Sequence, residues 1–396
     1  MYIKSKSVLE KALYEVTLTS LKNFSFMLKL KILHFMTNDQ WIFGKKFNFF
    51  HKKFIKWISL LKGRLEGGVT QQKSLPMMKE VMDVAKPLEQ LSERELLRKK
   101  CIGRVMTHTL RYLTGEFVKN GFEWLLPVIF SKATDPLWPD PGASLEKRIE
   151  VEIYGETVRT TLSMIVHKMV ACSLAYPKLF TLSPNIRLER RERAHTGIHA
   201  YEFTQLDFEI REATSSEIRT FVEKIFCGLI KSLRRNLREE LNQLERYDCL
   251  KVPRTPFKVY EREELERIYG MDWETKAVQN AQEPFWVVNI PREFYDFEDF
   301  ENGRWDNYDL FLPKYGEVLS GSRREWDYEK IIRKMERDGL KKENFKLLLS
   351  LAREGRIKPS AGAGIGVERL VSWIVGARHI GETQTFPKIP GIIYDL

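Results

Sequence analysis

A chain of 396 residues, 43% hydrophobic and 30% charged, is long enough to bury a sizeable core in one large domain or two ordinary ones. Its four cysteines (Cys101, Cys172, Cys227, Cys249) lie far apart, with no CxxC pair and no neighbouring histidine cluster. That spacing excludes a disulfide framework or a zinc ribbon and suits a reducing, cytoplasmic setting. The net charge of +11 sits almost wholly in residues 1–64, which hold 13 Lys and Arg against three acids. The remaining 52 basic and 51 acidic residues nearly cancel, so the body of the chain carries no general nucleic-acid footprint.

Residues 1–77 form a basic extension with two readings. Its Lys, Phe, Trp and Leu suit an amphipathic arm for RNA or a membrane surface. Its Lys, Phe, Ile and Asn bias suits better a poorly structured stretch, or one translated from a start codon assigned too early, with Met77, Met78 and Met82 as later starts. Lys22, Lys29 and Lys31 interrupt its most apolar run, so no membrane span is expected. Residues 66–78 read as a polar linker, and 78–396 as one folded domain.

The pattern from Leu91 to Lys119 predicts a helix stopped at Asn120-Gly121. Phe122 to Pro127 reads as a short strand, residues 148–163 as a hairpin turning at Gly155, and residues 200–211 as a further strand. Thr214-x-x-Glu217 is a capping box. Behind it, Ile218, Phe221, Val222, Ile225, Leu229, Leu233 and Leu237 mark one apolar stripe. Helices near 326–338 and 341–354 each stop at a glycine, Gly339 and Gly355. Strands and helices without strict alternation predict an α+β domain around an antiparallel sheet flanked by helices.

Three segments carry chemistry. In residues 361–380, Gly362, Gly364 and Gly366 alternate before Glu368-Arg369 and an apolar helix. Alternating glycines let a strand approach a flat ligand, and Arg369 is placed to stack on a base and pair with phosphate. In residues 185–209, Arg187 and Glu189 lie two apart and are expected on one strand face. In residues 309–325, Glu317 and Ser320 offer two hard oxygens suited to Mg²⁺.

These segments resemble motifs 3 and 2 and the intervening element of class II aminoacyl-tRNA synthetases of the Asp/Asn/Lys subclass. Residues 104–127 loosely match motif 1, the helix and strand that form a homodimer. The resemblance spans roughly residues 95–396. It implies that Arg187 holds the α-phosphate and the activated carboxylate, that Glu189 reads the adenine amino group, and that His199 reaches the outer phosphates of ATP. Phe203 would stack on adenine opposite Arg369, with Gly366 beside the nucleotide, and Arg187, Glu317 and Arg369 would form the catalytic set. Asp207 falls where the α-amino group binds, with Ser163 alongside. Lys168 and Arg324 match the cations that grip a free carboxylate, and two cations on one group favour aspartate over asparagine.

The chain also departs from the subclass. Ile198, Gly381 and Lys388 replace arginines, and Leu162 and Ile165 replace glutamines. Residues 1–95 show none of the alternating strands of an anticodon-binding barrel. The string from Ser163 to Lys168 and its sequel are similar to archaeal asparagine synthetases, which consist of the catalytic domain alone. The preferred expectation is therefore a ligase that uses ATP and Mg²⁺ to convert aspartate, through aspartyl-adenylate, and ammonia to asparagine without tRNA. An aspartyl- or asparaginyl-tRNA synthetase, with tRNA as partner, is the alternative. A non-catalytic synthetase paralogue is the third reading.

Overall fold

The computed structural model describes residues 81–136 and 145–395. The expected basic extension and the polar linker lie outside the described residues.

The first long helix, α1 (Glu93–Lys119), begins at a reciprocal capping box between Ser92 and Glu95 and ends at Asn120, with Gly121 at φ 79°. The strand expected over 122–127 shrinks to β1 (Glu123–Trp124), parallel to a later strand. Its last ladder bond is Leu125 N–H to the Phe180 carbonyl, because Pro127 has no N–H to continue the ladder. A small sheet follows, of β2 (Phe130–Ser131), β3 (Glu150–Ile153) and β4 (Glu156–Thr160). Its predicted hairpin turns on Tyr154 and Gly155, both at positive φ.

Helix α2 (Ile165–Leu174) leads into β5 (Lys178–Ile186) and β6 (Glu202–Arg211). The predicted stripe lies on α3 (Ser215–Asn236), capped by Thr214 and Glu217, and α4 (Arg238–Gln243) follows it. Next come β7 (Lys258–Glu261), α5 (Arg262–Tyr269), α6 (Trp273–Asn280) and β8 (Phe285–Val288). A short ribbon, β9 (Glu298–Asp299) and β10 (Arg304–Trp305), precedes β11 (Asn307–Leu312) and β12 (Gly316–Arg323). Helices α7 (Tyr328–Arg337) and α8 (Lys346–Arg353) lie close to the expected spans. The front of the second is a 3-10 turn, Lys342–Phe345, whose Phe345 packs on Phe294 at 5.0 Å. Strand β13 (Ser360–Gly366) and α9 (Val367–Val375) complete the described elements.

Eight strands form one sheet in the order β1-β5-β6-β13-β12-β11-β8-β7. It is antiparallel except at its two edges, where β1 runs with β5 and β7 with β8. One face is apolar and packs on α1, α3 and α9. Phe180, Phe208, Ala361, Ala363 and Ile365 meet Ile218, Val222, Ile225 and Leu229 there. Phe117 anchors that core, with Phe122, Phe180, Phe208 and Phe221 all within 5.3 Å between ring centroids. The period of two along each strand turns the alternate residues to the other face, where the polar groups gather.

Candidate active site

On that polar face, Thr181, Asp207, Gly364, Ser320 and Asp309 stand in register across β5, β6, β13, β12 and β11. One pleat further on, Glu209, Gly362, Ser322 and Asn307 form a second row. The alternating glycines serve these rows. A Cβ on Gly362 would stand 2.1 Å from the Phe208 carbonyl and 2.3 Å from Glu209 Oε2, and one on Gly364 would stand 2.9 Å from Asp207 Oδ1. The expected close approach to a flat ligand is therefore limited to the end of the strand. Gly364 and Gly366 line the cavity, while Gly362 makes room for a buried carboxylate.

Lys168 and Arg324 do meet, over resident carboxylates. Lys168 Nζ donates to Asp207 Oδ1 at 3.0 Å and to the Ala363 carbonyl at 3.1 Å, with Glu209 Oε2 at 3.8 Å. Arg324 donates from Nε to both oxygens of Glu209, from Nη1 to Asp296 and Ser322, and from Nη2 to Glu209 and the Gly362 carbonyl. All five N–H groups of its guanidinium are thus engaged. The five side chains are each at most 3% exposed, two cations against three carboxylates. The expectation of two cations awaiting an acidic substrate did not count Glu209 and Asp296, which offset them in place. Asp207 keeps one buried oxygen, Oδ2, that accepts no hydrogen bond. Ser163 sits at the start of α2, its Oγ accepting from the Ile165 amide at 3.2 Å.

A cavity of about 650 Å³ opens at Gly364, next to Asp207 of this cluster. Arg187, Glu189, His199, Phe203, Gly366 and Arg369 line it, and Glu317 faces them from β12. Arg187 and Glu189 do not share a continuous strand as expected. Strand β5 stops at Ile186, and the Glu189 amide turns back to the Arg187 carbonyl at 2.6 Å. The turn still brings both side chains to the cavity. Arg187 is aimed by two bonds to the Leu162 carbonyl and lies 5.2 Å over the Phe203 ring. Arg369 is held by the carbonyls of Ile198 and Glu317, both at 3.1 Å.

A β-bulge between Leu310 and Phe311 sets the position of Glu317. Three residues apart on a regular strand, Glu317 and Ser320 would face opposite ways. Val318 and Leu319 both enter the core, so Glu317 and Ser320 return to the same face.

Sequence reasoning missed Arg193. It donates to Glu189 Oε2 and to His199 Nε2, both at 2.8 Å, and so ties the two together. The His199 Nδ1–H then donates to Thr196 Oγ1 at 2.6 Å. Burial, helped by Arg369, Arg193 and Arg187, pushes the imidazole down to about 2 and keeps it neutral. Burial also raises the Glu189 carboxyl. Four arginines crowd residues 187–193, and nothing in their order marks the last of them, Arg193, as special.

Arg292 was missed as well. Its guanidinium donates to the Ser320 hydroxyl and to Asp309 Oδ2. The Ser320 oxygen expected for Mg²⁺ therefore already has a cationic partner, and the expected pair does not fit a metal as arranged. Among the described residues, no group of three His, Cys, Asp or Glu side chains is placed to hold one.

The departures have structural reasons. Ile198 and Leu162 act through their carbonyls, which any residue supplies. A Cβ at Gly381 would stand 2.9 Å from that of Ala85, so an arginine cannot occupy this position without a rearrangement. Lys388 contributes its carbonyl to the Tyr201 amide.

The family model of class II tRNA synthetases (D, K and N) matches residues 148–390. An asparagine–tRNA ligase of Mycoplasma mobile is 32% identical over 252 residues, which are 56% of this chain and 55% of that protein. The chain thus spans about half the length of this curated relative. Asparaginyl-tRNA synthetase of Pyrococcus horikoshii, solved with asparaginyl-adenylate, superposes with a TM-score of 0.66 at 23% identity, over 77% of this chain and 74% of the other. A putative aspartyl-tRNA synthetase from Leishmania major gives 0.62 at 18% identity, over 79% and 72%. These two show the shared fold. The expectation of a tRNA-independent asparagine synthetase is corrected by these findings: the relatives found bear the names of tRNA ligases, which was the alternative reading. Among the described residues no helix is long and apolar enough to cross a membrane. With its motif residues gathered on one sheet face and the match covering well over half of its length, the chain belongs to the class II tRNA synthetases of the D, K and N group.

Proposed function

We propose that this chain carries the activating site of an asparagine–tRNA ligase. ATP and asparagine would react to asparaginyl-adenylate and pyrophosphate. The adenylate would then pass its aminoacyl group to a tRNA hydroxyl, releasing AMP. One observation carries the choice of asparagine over aspartate. Every N–H of Arg324 already meets a protein acceptor, and the buried cluster around it holds two cations against three carboxylates. A further carboxylate would enter a site with no positive charge left over, whereas a neutral amide adds no charge to the cluster. The 32% identity to an asparagine–tRNA ligase supports the same choice.

Within this reading Asp207 Oδ2, buried and without a hydrogen bond, takes the α-ammonium group. Arg187 holds the α-carboxylate and the α-phosphate together, which makes the attack effectively intramolecular. The adenine lies against Phe203 and Arg369, with Glu189 at its amino group. Arg187 covers one face of Phe203, so the base stacks on the other face or displaces the guanidinium. Neutral His199 offers no positive charge to the outer phosphates unless they raise its basicity on arrival. Glu317, about a third exposed and 3.6 Å from the Arg369 guanidinium, is the carboxylate left for Mg²⁺. Because Ser320 is engaged, no step is routed through a metal here.

A homodimer through the motif 1 region would cover Val118, Trp124 and Leu126, which are 56%, 52% and 88% exposed. A cytoplasmic site of action fits four free cysteines, three of them buried.

The test is ATP–pyrophosphate exchange driven by each amino acid separately. Exchange with asparagine, at least about a hundredfold above that with aspartate, is the expected result; the missing charge compensation is worth roughly 3 kcal/mol. Exchange with aspartate alone would refute the reading.

A further inference from the structure

Arg292 lies in the segment between β8 and β9, its side chain 20% exposed, within electrostatic reach of Glu317 in the cavity wall. Its two terminal nitrogens reach the two residues that oppose each other on β11 and β12, Asp309 and Ser320. Around it stand Glu317, Glu293 and Asp296, and Glu274 of α6 lines the cavity nearby. A buried carboxylate facing a serine hydroxyl across a strand pair, beside a second carboxylate, is a set of hard oxygens of the kind that holds a divalent ion. In this chain a planar, permanently charged fork fills it.

We propose that Arg292 is a resident cation that takes one divalent-ion position at the phosphate end of the cavity, so that metal enters with nucleotide through Glu317 and not through Ser320. The proposal rests on the reading that this cavity takes ATP. Arg292 acts as a positioning residue: it fixes Asp309 and Ser320 and keeps the acidic end of the site compensated before ligand arrives.

The experiment is Mn²⁺ binding to the full chain, read by electron paramagnetic resonance. Without nucleotide, Arg292→Gln should bind Mn²⁺ roughly tenfold more tightly than the unmodified protein, because Asp309 and Ser320 are released. Arg292→Gln/Asp309→Asn should return to the unmodified level. Equal affinity of the unmodified protein and folded Arg292→Gln would overturn the proposal. Two milder variants keep it testable if Arg292→Gln does not fold. With a non-hydrolysable ATP analogue, Glu317→Gln should weaken Mn²⁺ binding roughly tenfold and Ser320→Ala should leave it unchanged. An equal loss in both would show Ser320 to be a ligand and overturn it. Mn²⁺ binding is read apart from amino-acid-driven exchange. A chain that passes this test and activates no amino acid would refute the proposed function and leave Arg292 in its role.

Discussion

Arg324 is the residue whose surroundings most change its meaning. Lying seven residues after Glu317, it invites a role on substrate, yet its neighbours in space are Glu209 and Asp296. Arg324→Leu would leave buried Asp296 without its cation and Glu209 with only Lys168, 3.8 Å away, a loss of about 3–5 kcal/mol in urea unfolding. Adding Glu209→Gln to that variant should recover part of the loss, since it removes one uncompensated charge. An Arg324→Leu protein as stable as the original, with altered amino-acid preference, would show the guanidinium to serve substrate instead. Glu368 invites a second measurement. Burial pushes its carboxyl up to about 7, against the two bonds it accepts from the Thr204 amide. A raised folded value means that its contribution is full below the unfolded value of 4.5 and is lost as pH rises through about 7. Glu368→Gln should therefore narrow the difference in melting temperature between pH 5 and pH 8, by the equivalent of about 1–3 kcal/mol. Asp309 titrates in the same window and remains in the variant, so a residual slope is expected. A slope unchanged by the substitution would locate the effect elsewhere.

Among the elements, β13 shows three similar glycines with different duties. Gly362→Ala would drive a methyl into the Phe208 carbonyl and Glu209, at 2.1 and 2.3 Å, and is expected to prevent folding. Gly366→Ala meets only Arg369, at 3.5 Å, and should give a folded protein with weakened nucleotide binding. Thermal melts with nucleotide titrations separate the two; a stable Gly362→Ala would sink the account of the glycine row. Much at this scale was legible in advance. The capping box at Thr214, the turn at Gly155 and the stripe on α3 are local signals, settled within a few residues. The strand expected to run on to Pro127 stops short because that residue has no N–H to offer β5, and Arg187 and Glu189 reach one cavity by a turn rather than along a strand. Pairing partners are chosen across the chain, and a segment's own pattern does not record them.

For the whole molecule, the division into a basic extension of residues 1–77 and a catalytic domain remains a proposal. A chain lacking residues 1–77 is expected to sediment as a dimer and to keep asparagine-driven exchange within a few-fold of the full chain. Loss of exchange with the fold intact would give the extension a part in the chemistry. The sequence by itself determined the fold class and the order of the motifs, and its resemblance to the class II synthetases picked out residues that line the cavity. The elements follow from periodicity, caps and side-chain types, which each segment carries within itself. The tertiary structure decided which charges compensate which. Lys168 with Asp207, Arg324 with Glu209 and Asp296, and Arg292 with Asp309 and Ser320 join side chains from separate segments of the chain. Electrostatic interaction depends on distance in space and on burial, and neither is written in the spacing along the chain.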